Sequence, residues 1–136
     1  MTDPTYIGGG DPAGRFADYQ PAWVDNLADD VTIEGSLLDG GVQGAEAVRT
    51  IVGTIRTLYD NQKFNFAGPW GDNSFREDYT AQVLGEPIGC VVLVTRNAAG
   101  KAQHIAANNR PRSSLLLLSR LVGEKLAGTP MPSTSS

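Results

Sequence analysis

Leu27-Ala28-Asp29-Asp30-Val31-Thr32-Ile33-Glu34-Gly35, followed by Gly44-Ala45-Glu46-Ala47-Val48 and its continuation to Tyr59, is the stretch whose reading decides the fold. Val31, Ile33 and Gly35 alternate with Thr32 and Glu34, the period of two of a half-buried strand. Asp39-Gly40-Gly41 then turns the chain. Val48, Ile51, Val52, Ile55, Leu58 and Tyr59 recur at spacings of three and four, so the segment opening at Gly44 predicts the longest helix of the chain. Gly53 costs that helix about 1 kcal/mol relative to Ala, which packing has to offset.

Upstream, residues 1–20 hold Pro4, Gly8, Gly9, Gly10, Pro12 and Gly14. That density of breakers predicts an irregular arm anchored by Tyr6, Phe16 and Tyr19. Gly8-Gly9-Gly10 follows no strand and precedes no Gly-Lys-Ser/Thr, so it is not read as a nucleotide loop. Pro21 suits the first turn of a short helix carrying Trp23, Val24 and Leu27 and ending near Ala28. Downstream, strands are predicted at Lys63 to Ala67, Ser74 to Leu84, Ile88 to Arg96 and Lys101 to Arg110, the last three as an antiparallel meander. Ser113 or Ser114 caps a final Leu-rich helix that stops at Gly128 and Pro130. The expected organisation is an arm at 1–20, one α+β domain at 21–112, a helix on the same domain at 113–128, and a disordered tail at 129–136.

The 136 residues fit one domain, and 40% hydrophobic with 19% charged residues is the balance of a globular chain. A net charge of −4 argues against a nucleic-acid partner. One Cys and one His cannot supply a structural zinc site, and no disulfide can form within the chain. The apolar runs are too short to span a bilayer and residues 1–10 carry no leader pattern, so the cytoplasm is the expected address, with no membrane partner.

The segments at 27–35 and 44–48, with Ala99-Gly100-Lys101 leading into Asn109-Arg110-Pro111, resemble the nuclear transport factor 2-like superfamily in its SnoaL-like and ketosteroid-isomerase-like bacterial branch. The resemblance implies a cone in which a curved antiparallel sheet wraps around helices, here with a short or missing N-terminal helix and an added C-terminal one. It also implies a cavity on the concave face and a homodimer through the convex face. It implies no single activity, because isomerases, cyclases, epoxide hydrolases and non-catalytic members share the fold.

At three positions where one catalytic relative or another keeps an acid, this chain has Gly35, Val92 and Ala107, so the ketosteroid isomerase constellation is absent. Similarity to the limonene epoxide hydrolases instead points to Arg76-Glu77-Asp78, with Arg76 and Asp78 as the catalytic pair that polarises a substrate and moves a proton. The same two residues also fit a strand-paired ion pair. Asn109 and Tyr59 are expected to orient a ligand, and Trp70, Val92, Ala107 and Trp23 to line its site; Trp70 fits a lid on the core equally well, and the Tyr59 ring fits the core with its hydroxyl in water. His104 is the chain's one histidine, the first residue type to weigh as a general base, and the resemblance implies that its neighbours Ile105 and Ala107 take the cavity face, which sends His104 to the convex side. Asp25 reads as a solvated helix residue. Cys90, inside Ile88 to Val94, reads as an inert buried thiol.

The function these residues imply is an enzyme acting on a small apolar metabolite by acid-base chemistry, as an isomerase, cyclase or epoxide-opening catalyst, with no cofactor and no metal. The alternative is a ligand-binding or oligomerisation domain that keeps the cone and has lost the carboxylates. Leu115 to Leu118, Leu121, Val122 and Leu126 make a stripe wide enough to predict burial of the last helix on more than one side, across the cone mouth or in a second subunit.

Overall fold

The computed structural model describes residues 10–127, so Tyr6 of the arm and the predicted tail at 129–136 lie outside the described residues. A one-turn 3-10 helix at Ala22–Asp25 precedes strand β1 (Leu27–Gly35), the short β2 (Val42–Gln43) and helix α1 (Ala45–Leu58). Strands β3 (Asp60–Pro69), β4 (Ser74–Val83), β5 (Glu86–Arg96) and β6 (Ala102–Arg110) follow, then helix α2 (Arg112–Leu126).

The six strands form one sheet in the order β2-β1-β6-β5-β4-β3. Strands β4 to β6 form the expected antiparallel meander, and β3 joins it as a fourth antiparallel neighbour. The sheet is nonetheless mixed, because β1 lies parallel to β6. Helix α1 carries the chain to the far edge, and three reversals from there bring β6 back beside β1 in the same direction. Register shifts in β3 and β1 are the irregularities that let such a sheet bend.

Both helices pack on one face. The main core joins Val48 and Ile51 of α1 to Val31, Ile33, Tyr79, Val92 and Ile105 of the sheet. A second cluster joins Leu118 and Val122 of α2 to Ala81, Val83 and Ile88. Gly53 meets nothing within 4 Å of an added Cβ, so the amphipathic face of α1 rather than any close approach tolerates it.

Four expectations are corrected. The helix predicted at Pro21 ends at Asp25, because Leu27 is already paired with Ala102 on β6 and Ala102 N–H donates to the Asn26 carbonyl at 2.9 Å. Sheet pairing overrides the helical stripe. Strand β1 therefore starts four residues before Val31, and β3 extends beyond Lys63 and Ala67 at both ends. Neither Ser113 nor Ser114 caps α2: Pro111 holds that position, and the Ser114 hydroxyl, one turn inside, donates to the Pro87 carbonyl at 2.6 Å. Finally, α2 is fully buried only along Ser114, Leu118 and Val122, with Leu117, Leu121 and Leu126 half-buried beside that line, while Leu116 is 58% exposed and falls outside the stripe that packs.

The arm is tied down. Asp11 accepts backbone N–H bonds from Arg15 at 3.0 Å and Phe16 at 2.8 Å, which closes a turn. Phe16 and Tyr19 pack against the core as the predicted anchors.

Candidate active site

Strand β4 decides which residues meet the cavity. Phe75, Glu77, Tyr79, Ala81 and Val83 point to the helix-bearing face, and Glu77 is the one charged member of that set, 1% exposed. Register places Glu77 opposite Val92, Val92 opposite Ala107, and Ala107 opposite Gly35. The three positions at which acids are missing thus form one row across β5, β6 and β1, and the row continues to a carboxylate on β4.

Glu77 lines an apolar cleft, open to solvent, with Trp23, Val24, Ile33, Val52, Phe64 and others. Two donors converge on its Oε2: the Tyr19 hydroxyl in a short hydrogen bond, and the Trp23 indole Nε1–H at 3.0 Å. Oε1 is the oxygen left for the cleft. Burial holds the Glu77 carboxyl above the usual carboxylate range, while Tyr19, Trp23 and the Arg56 charge draw it back. Tyr19 is raised in turn by burial and by its carboxylate partner. A carboxyl poised this way among apolar walls can give or take a proton on carbon or oxygen chemistry that water would otherwise swamp.

A second, smaller hollow shares Ile33, Ile55, Tyr79 and Ala107 as a common wall with the first. Here the structure brings two expected residues together. Tyr59 and Tyr79 exchange a hydroxyl hydrogen bond at 2.9 Å, and the Asn109 amide donates to the Tyr59 hydroxyl at 3.4 Å. Burial raises both tyrosines, so they stay neutral donors. Cys90, in the same wall, is pushed up to about 12 by burial, a packed thiol rather than a nucleophile.

Of the other expected ligand contacts, Val92, Ala107 and Trp23 line the main cleft. The pair Arg76 and Asp78 does not. Both occupy the face away from the helices, one residue either side of Glu77. Asp78 is bound to Arg110 at 3.2 Å, and the Arg76 guanidinium lies over Phe66 at 4.6 Å and over Trp70 at 5.0 Å. Trp70, 54% exposed on the β3–β4 turn, covers that arginine and not the cleft. Glu77, the side chain between them, is the one of the three that faces the cleft. The alternation of Phe75, Glu77, Tyr79, Ala81 and Val83 carries that orientation, and the Arg-x-Asp spacing marks the two positions of opposite parity. His104 lies on the outer face, bonded through Nδ1 to the Thr32 hydroxyl and through Nε2 to Glu34 at 3.2 Å.

Gly35 has a steric reason. A Cβ built there would stand 1.8 Å from the Ala107 carbonyl oxygen, so no carboxylate fits that position without moving β6.

No family model matches the sequence, and no curated protein matches it. Solved structures do match. The chain is similar to an uncharacterized protein from Silicibacter pomeroyi with a cystatin-like fold, at TM-score 0.73 and 17% identity over 79% of this chain and 75% of that one. It is similar to a steroid delta-isomerase from Pseudomonas aeruginosa at TM-score 0.72 and 19% identity, over 79% and 80% of the two chains. A putative isomerase of the SnoaL-like family from Agrobacterium tumefaciens follows at 0.51 and 13%, over 65% and 78%. The fold is nuclear transport factor 2-like. Within this NTF2-like cone, no helix among the described residues is long and apolar enough to cross a membrane, and no group of three or more His, Cys, Asp and Glu side chains is placed to hold a metal ion.

Proposed function

We propose that this NTF2-like chain is an enzyme that binds a small apolar molecule in the cleft and performs cofactor-independent acid-base chemistry on it, with Glu77 as the proton-transferring group. The observation that carries this reading is the single buried carboxyl on the helix-facing row Glu77–Val92–Ala107–Gly35, held by Tyr19 and Trp23 and facing apolar walls. Tyr59 and Asn109 serve as neutral orienting groups in the adjoining hollow. An isomerisation, cyclisation or epoxide opening fits this equipment, since each needs a proton moved in an apolar site. The fold likeness to a steroid delta-isomerase and to a putative SnoaL-like isomerase supports the class of reaction, not its substrate.

The test is a thermal-shift screen of apolar ketones, epoxides and lactones, followed by product analysis with the wild-type chain and Glu77→Gln. Ligands of the folded state raise the midpoint by mass action. The expected result is unchanged binding with turnover reduced at least ~100-fold, the weight of a general acid-base group. Equal turnover by the variant rejects the assignment. Binding without turnover by either chain favours the second reading, a non-catalytic binding domain, for which the latch that Tyr19 and Trp23 make on Glu77 is itself a structural role.

The homodimer belongs to the same proposal. The sheet face opposite the helices carries half-buried Phe66, Val91, Leu93 and Ala106 with no helix upon it, the apolar strip that a second copy would cover.

A further inference from the structure

Two charged side chains line the main cleft, and they stand at opposite levels. Glu77 is buried on the sheet, whereas Arg56, in the last turn of α1, is exposed at the lip beside Gln62. Among the described residues Arg56 forms no ion pair; the two salt bridges there are those of Arg110 and His104. Glu77 does not neutralise it by contact, since Oε2 is taken by Tyr19 and Trp23 and the Arg56 charge acts on Glu77 only as the smallest of its influences. Position in the last helical turn explains why a cation is tolerated at residue 56, through the carbonyl ends of α1. It does not explain the apolar well that opens beside it.

From these observations we infer that the cleft takes an apolar molecule with an anionic end, a carboxylate in the simplest case, which the Arg56 guanidinium binds at the lip while the apolar body lies between Val52, Ile55, Phe64 and Val92. Such a ligand matches both features of the site at once. The guanidinium presents paired N–H donors that suit two carboxylate oxygens, and the walls remove hydrocarbon from water. With a net charge of −4 the chain as a whole repels anions, so the preference arises at contact and not by long-range steering. The repulsion from Glu77 is limited by depth and by its raised affinity for a proton. This inference rests on the cleft being the ligand site of the proposed enzyme and adds the ligand's charge; it does not depend on Glu77 transferring a proton.

The experiment measures the dissociation constants of 2-naphthylacetate and its neutral amide by calorimetry at pH 7.5, for the wild type, Arg56→Gln and Glu77→Gln. The wild type is expected to favour the acid by about tenfold, the weight of a charge-assisted contact. Arg56→Gln should erase that preference and leave the amide within about twofold, because the apolar walls are untouched. Glu77→Gln should keep the preference even if it abolishes turnover, which separates failure of the catalytic reading from failure of this one. Equal affinity of the wild type for acid and amide, no binding of the acid, or a preference that survives Arg56→Gln overturns the inference. Circular dichroism of both variants guards against misfolding, and Arg56→Lys, which keeps the charge and loses the fork, is expected to recover part of the preference.

Discussion

Glu77 carries more of the argument than any other residue, and its protonation makes a prediction independent of any substrate. Burial raises its pKa, so the folded chain holds that proton at pH values where the unfolded chain has lost it. Stability from this group is full below the ordinary carboxylate pKa and is lost as pH rises through the raised one. Glu77→Gln keeps acceptor and donor geometry for Tyr19 and Trp23 but cannot ionise. Its melting temperature relative to wild type is therefore expected to be more favourable at pH 8 than at pH 4; an offset that does not change with pH would refute the buried titration. Asp78→Asn removes a half-exposed pair with Arg110, and the expected cost is below about 1 kcal/mol with turnover kept. Gly35→Ala should be costly, on the order of 1–3 kcal/mol by chemical denaturation, because its Cβ meets backbone rather than a side chain that can swing away.

The elements show where sequence reading succeeds and where it stops. α1 and the three long strands β4 to β6 were legible because each repeats its period over nine or more residues. The helix at Pro21 was not, since four residues of weak stripe lost to backbone pairing of Leu27 with a strand some 75 positions away, which no local pattern reports. The parallel β1–β6 contact was equally invisible, being a matter of topology. As for the candidate site, Trp23, Val92 and Ala107 line the main cleft and Tyr59 and Asn109 the adjoining hollow, whereas Arg76 and Asp78 lie on the opposite face, an orientation that the alternation of their own strand carries and the Arg-x-Asp spacing does not. Helix α2 adds a test at this scale. Leu118 is fully buried against Ala81, Val83 and Ile88, so Leu118→Ala should cost about 2–5 kcal/mol in urea unfolding, while Leu116→Ala should cost little.

For the whole molecule, the arrangement is a bent sheet with both helices on one side and, among the described residues, no helix on the side opposite. If a second copy covers it, Leu93→Arg is expected to yield a monomer by light scattering while ligand shifts in the cleft persist; a wild type that is already monomeric at high concentration would remove that proposal. The cleft itself draws on residues 11–26, whose Tyr19 and Trp23 both hydrogen-bond Glu77, with the Tyr19 ring packed on Phe64 and Phe75. The proposed function then draws on a segment whose one regular element is the single turn at Ala22–Asp25.

The placement of β1 beside β6 also orders events in time. Strands β3 to β6 form by three successive reversals between chain neighbours, whereas Thr32 on β1 meets His104 on β6 across 72 positions. Closing a loop that long sets an entropic barrier that the hairpins do not face. On the ribosome, β1 and β2 emerge before the other strands and have no sheet to join until β6 has been made. Amide exchange during refolding should accordingly protect β4 and β5 before β1, and the cleft, whose wall includes Ile33, becomes a binding site only when the oldest strand is seated last.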